Sequence, residues 1–142
     1  MLNEIITGIS QQLNTAFGDG YEIYKNDVEQ GLNEPCFFIS VIKPELSPLL
    51  GSRGIWRNPF DIHYFPKRAG SNAELFDVAE KLIYALEFIP MPDGLPLRGT
   101  GMSYDIIDGV LHFYVNFNMI VNQPREENPM ETLTTNVGTK KG

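Results

Sequence analysis

Residues 97–121, LRGTGMSYDIIDGVLHFYVNFNMIV, constrain the fold more than any other stretch of the chain. Asp108-Gly109 is a dipeptide favoured by two-residue type I′ turns, in which both central positions need φ > 0. Such a turn places Ile107 opposite Val110; stepping outward, Ile106 meets Leu111, Tyr104 meets Phe113 and Met102 meets Val115, three pairs that share one apolar face. The other face pairs Asp105 with His112 and Ser103 with Tyr114, and turns Asn116 and Asn118 outward. A slip of one residue would exchange the two faces, so the pattern itself fixes the register. The expected burial follows: Tyr104, Ile106, Leu111, Phe113, Val115 and Phe117 inside, with Asp105, His112, Asn116 and Asn118 mostly exposed.

The remaining elements read in sequence order. Leu2, Ile5, Ile6, Ile9, Leu13 and Phe17 recur at helical spacing and stop at Gly18-Asp19-Gly20. Tyr21 to Lys25 alternates briefly as a short strand, and 27–35 reads as a loop. Cys36 to Lys43 is a strand with apolar residues on both faces, central or covered on both sides. Pro44 and Pro48 break the chain, making 44–54 a long connection. From Ile55, Trp56, Phe60, Ile62 and Tyr64 share one face, with Arg57, Asp61 and His63 on the other. Pro59 within that run suggests an edge strand or a bulge.

Ser71-Asn72-Ala73-Glu74 is a capping box, with Glu74 reaching back to the Ser71 amide. Its helix runs to about Phe88, with a stripe of Leu75, Val78, Ala79, Leu82 and Leu86 widened by Phe76 and Ile83. These elements give an α+β fold in the order α-β-β-β-α-β-β, a mostly antiparallel sheet of about five strands with two helices on one face. Residues 1–121 make one domain, and 122–142 form a polar, flexible tail in which TLTTNV (132–137) is β-prone enough to join a neighbour's sheet.

Composition excludes several functions. A net charge of −7, spread along the chain, argues against a sequence-specific nucleic-acid binder, which needs a basic stripe. The N-terminus lacks the basic region of a signal peptide, and no apolar run approaches the roughly 20 residues of a membrane helix. The lone Cys36, in an apolar run, reads as a buried structural thiol. Common nucleotide-binding, hydrolase, metalloprotease and dithiol motifs are absent, and Gly99-Thr100-Gly101 precedes a strand rather than a helix, which makes it a bend rather than a phosphate loop.

His63 and His112 could join Asp61 or Asp105 as a metal cluster if their strands were neighbours. The spacing fits no ligand motif, so the reading adopted is an ordinary Asp105–His112 cross-strand pair, with no catalytic residue, no metal and no cofactor. Partners are suggested instead by the connection after Pro44: Leu46, Leu49, Leu50, Ile55 and Trp56 are too much apolar surface for two strands to bury, so the loop either folds back on the core or docks elsewhere, and these residues form the candidate interface with another subunit or a tube.

The segments DVEQGLNEPCFFI (27–39), NPFDIHYFPK (58–67), the 72–86 helix and DGVLHFYVNFN (108–118) together resemble the phage tail terminator family of phages and prophages of Gram-positive hosts. The resemblance covers about residues 1–121 and rests on structural rather than catalytic motifs. It implies a virion-assembly protein that caps the tail tube as a ring, usually a hexamer, and joins it to the head-side connector or stopper. It implies as partners further copies of the chain and the tail tube protein, and as location the host cytoplasm during assembly and then the virion tail. The alternative is another head–tail connector or minor tail structural protein; from a different class, a small ligand-binding or enzymatic α+β domain.

Overall fold

The computed structural model describes residues 1–25 and 32–122. Its main sheet has five strands in the order β1-β2-β5-β9-β8. These are β1 (Glu22–Lys25), β2 (Cys36–Val41), β5 (Pro59–Phe65), β8 (Thr100–Ile107) and β9 (Val110–Asn116). Neighbours are antiparallel except β1 and β2, which run parallel. Two helices, α1 (Leu2–Phe17) and α2 (Asn72–Ala85), supply the other half of the core. The α+β class and the five-stranded sheet are as the sequence pattern indicates.

The hairpin register holds from Ile107–Val110 out to Ser103–Tyr114, and Asp108 and Gly109 have φ of 53° and 77° as the turn requires. It then breaks at a bulge between Thr100 and Ser103, where Gly101 takes φ 62°, so Thr100 faces Asn116 and the expected Met102–Val115 pair does not form. Leu111, Phe113, Val115 and Phe117 are buried, but Tyr104 is 40% exposed and Ile106 only half-buried. The reason is position: β8 is the outermost strand, with a neighbour on one side only. On the opposite face, His112, Asn116 and Asn118 are half-buried rather than mostly exposed, whereas Asp105 is exposed.

Pro59 does not mark an edge. The extended run divides at Asn58 into β4 (Arg53–Arg57) and β5, and β5 lies at the centre of the main sheet. Pro59 is the first residue of β5, a strand position where a missing N–H is tolerated. Asn58 is fully buried; its Nδ2 donates to Phe117 O at 3.0 Å, and its own carbonyl accepts from Phe117 N at 3.0 Å.

The 44–54 stretch is not an irregular connection. It contains β3 (Glu45–Pro48), which pairs with β4 in a three-stranded sheet ordered β10-β4-β3, with β10 at Met119–Asn122. Pro48 ends an edge strand, where a proline can sit. The turn is closed by Leu49 N donating to Arg53 O at 2.8 Å, with Gly51 at φ 70°. Among the described residues, 47–55 and 120–122 form a compact unit separate from 1–25, 32–46 and 56–119.

α2 ends at Ala85, three residues short of the expected Phe88, and Leu86 follows as a buried cap. Phe76 and Ile83 are exposed and do not widen its buried stripe. The capping box is half formed. Ser71 Oγ accepts from Glu74 N at 3.4 Å, but the Glu74 carboxylate turns away to accept from Tyr64 Oη (2.6 Å), Lys67 N (2.8 Å) and Arg68 N (3.4 Å). The charged acceptor thus ties the start of α2 to β5 and its following turn. Beyond α2, a two-stranded ladder of β6 (Phe88–Ile89) and β7 (Leu97–Arg98) precedes the hairpin. Gly99 is needed there for close approach: a Cβ would lie 2.3 Å from Leu86 O and 2.9 Å from Val115 Cγ2. The expected loop of 27–35 is described only from 32 onward; of the expected tail, Asn122 belongs to β10 and the rest, with its 132–137 segment, lies outside the described residues.

Candidate functional site

Alternation along a strand sends Phe60, Ile62 and Tyr64 of β5 into the core and Asp61, His63 and Phe65 to the opposite face. The same period turns His112 and Tyr114 of β9 to that face. Because β5 and β9 are adjacent, His63 sits directly across from His112. Their ring centroids are 4.5 Å apart. His112 Nδ1 lies 2.9 Å and His63 Nε2 3.1 Å from the same oxygen, Asp61 Oδ2. Phe38 meets His63 edge-on at 5.4 Å, and Phe65 stacks on it at 6.4 Å, so aromatic rings frame the group.

Asp61 is only 9% exposed. Burial pushes its carboxyl upward, but hydrogen bonds to His63 and His112 and their charges outweigh that, and the group is held below its ordinary value. Its second oxygen, Oδ1, is buried with no hydrogen-bond partner among the described residues. The reading of His112 as the partner of Asp105 is therefore corrected. The two are opposite in register, but Asp105 Oδ1 accepts from its neighbour Ile106 N at 2.9 Å, and His112 turns instead to Asp61 on β5. The long-range pairing of β5 with β9 decides this, and local spacing carries no trace of it.

Cys36 is buried, and burial together with Glu34 and Glu22 pushes its thiol up to about 11, which leaves it protonated and unreactive at neutral pH. A groove beside α2 is bordered by Phe17, Tyr21, Lys67, Arg68 and Lys81, but its polar centre is the Tyr64–Glu74 pair already spent on anchoring the helix.

The five candidate interface residues differ in exposure. Leu50 is 92% exposed at the β3–β4 turn and Leu49 is exposed beside it, whereas Leu46, Ile55 and Trp56 are half-buried. Ile120 on β10, in the same small unit as Leu49 and Leu50, is also exposed and was not singled out by the sequence pattern. Tyr84 and Phe88, at and just beyond the end of α2, are further exposed aromatics that helical periodicity could have placed outside the buried stripe.

The structure defines the class of a small two-helix, largely antiparallel α+β domain that exposes several apolar side chains and gathers His63 and His112 on Asp61. The chain belongs to the phage tail terminator family: the model described as "Phage tail terminator protein" matches residues 4–129. It is accordingly a structural component of a phage tail, a setting that entails contact with other tail components. No curated protein matches the chain. A solved structure without a functional name aligns over 89% of this chain and 99% of its own, at 14% identity and a TM-score of 0.52, a likeness of fold alone. Among the described residues no helix is long and apolar enough to cross a membrane.

Proposed function

We propose that the protein caps the completed tail tube as a ring of copies, of the hexameric kind usual for tail terminators, and presents the head-side connector with its docking surface. The observation that carries this reading is the family match over residues 4–129. Exposed Leu49 and Leu50, adjacent at the β3–β4 turn, and exposed Ile120 in the same compact unit support it, because exposed apolar patches mark interfaces. Leu46, Ile55 and Trp56 complete the proposed contact with a neighbouring copy or the tube. The net charge of −7 is favourable for a ring around a DNA channel, since it discourages the passing genome from adhering. In this role the chain performs no catalysis and reads no base sequence.

Ring closure needs one particular rotation between heterologous contacts, and a tube end supplies that template. The isolated protein is therefore expected to associate weakly and to assemble on tubes. The test is to mix gold-labelled protein with purified, uncapped tail tubes and image them by negative-stain electron microscopy. Label confined to one end of each tube supports capping. Label along the tube walls, or none on the tubes, overturns it.

A further inference from the structure

We propose that Asp61, His63 and His112 form a binding site for a divalent transition metal, zinc being the best chemical fit, which staples β5 to β9 on the face of the sheet away from the helices. The inference stands apart from the tail-terminator reading. The chain has only two histidines, and the fold brings both, from separate strands, onto one carboxylate. The three donor atoms all lie within 4.8 Å of one another.

The distances suit a metal. Zinc bonds to imidazole nitrogen and carboxylate oxygen are about 2.0–2.2 Å, which puts neighbouring donors on a tetrahedron about 3.3 Å apart. Two edges, 2.9 and 3.1 Å, need to open by a few tenths of an ångström, and the nitrogen–nitrogen edge lies within the 4.8 Å that bounds the group. Two imidazoles and one carboxylate match the preference of borderline-soft divalent ions, whereas calcium and magnesium take oxygen-rich sets. The histidine side chains are part-exposed, at 21% and 17%, which gives an ion a route in and leaves solvent to complete the coordination.

A pure hydrogen-bond reading accounts less well for the geometry. Both imidazoles are directed at Oδ2 while the buried Oδ1 goes without a partner among the described residues. Donors free to choose would divide between the two oxygens, because an unsatisfied buried acceptor is costly. Two imidazole nitrogens gathered on one carboxylate oxygen bring three ligand atoms within reach of a single ion.

The test is isothermal titration of the full chain, carrying no polyhistidine tag, with Zn²⁺ alone. One saturable site per chain is expected, and Co²⁺ in its place should give the intense visible absorption of a tetrahedral nitrogen–oxygen complex. His63→Gln and His112→Asn should each abolish that site while keeping the wild-type circular dichroism spectrum. Asp61→Asn, nearly isosteric, is expected to weaken binding at least tenfold and keeps the test decisive where a histidine variant fails to fold. The absence of saturable Zn²⁺ binding by the wild type, or a saturable site that survives in the folded variants, would overturn the proposal.

Discussion

Replacing Phe113 by alanine is the most informative perturbation of the core. Phe113 is fully buried on β9, opposite Ile62 of β5 on one side and Tyr104 of β8 on the other. Truncating a buried phenylalanine costs about 3–5 kcal/mol, the lost transfer energy plus the cavity left behind. That is a large share of the roughly 5–15 kcal/mol that holds a domain folded. At about 2 kcal/mol per molar, a typical urea dependence for a domain this size, the midpoint should fall by roughly 2 M. Tyr104 is its partner in register but is 40% exposed, so Tyr104→Ala should cost only about 1–2 kcal/mol, in line with partial apolar burial. Equilibrium urea unfolding followed by circular dichroism compares the two. Equal losses would refute the assignment of β9 to the interior and β8 to the edge of the sheet.

Three further outcomes follow from the same geometry. Gly99→Ala should destabilise by about 1–3 kcal/mol, since its Cβ meets the Leu86 carbonyl, a backbone atom that cannot rotate away; Gly20→Ala, with open space around it, should be close to neutral in thermal melts. Burial pushes the Glu74 carboxyl upward, but the Tyr64 hydroxyl, the Lys67 and Arg68 amides and the Arg68 charge outweigh it and hold its pKa below the ordinary range. Its contribution to stability is thus full above the unfolded value of about 4.3 and is lost as pH falls through the lower folded one, so Glu74→Gln should flatten the acid limb of a stability–pH curve; an unchanged limb would dissociate Glu74 from acid unfolding. The Leu49→Asp, Leu50→Asp double variant should fold normally, because both side chains are exposed, yet fail to complement tail assembly; a folded variant that supports normal tails would remove this turn from the interface.

What the sequence reveals here depends on the range of the interaction. The β8–β9 hairpin from its turn out to Ser103–Tyr114 and the central buried stripes of both helices are local patterns, legible from spacing alone. Tyr104 is more exposed than alternation indicates, because alternation tells which face a residue takes, not how well that face is covered at a sheet edge. From spacing alone Pro48 looks like a chain break and Pro59 like the mark of an edge or bulge; one sits at the end of an edge strand and the other at the first position of a central one, both of which tolerate a proline. Glu74 followed its capping signal in position but not in bonding, since Tyr64 and the amides after β5 make the better set of donors. The Asp61–His63–His112 group was visible only as a conditional possibility, because everything depends on β5 lying beside β9.

The central claim, that the protein terminates the tail tube, is tested most directly by deleting its gene from the phage and imaging the particles made after induction. Loss of the cap should leave tubes that grow past their normal length and tails that fail to join heads, with both defects reversed by expressing the intact chain in trans. Normal, infectious virions from the deletion strain would contradict the account.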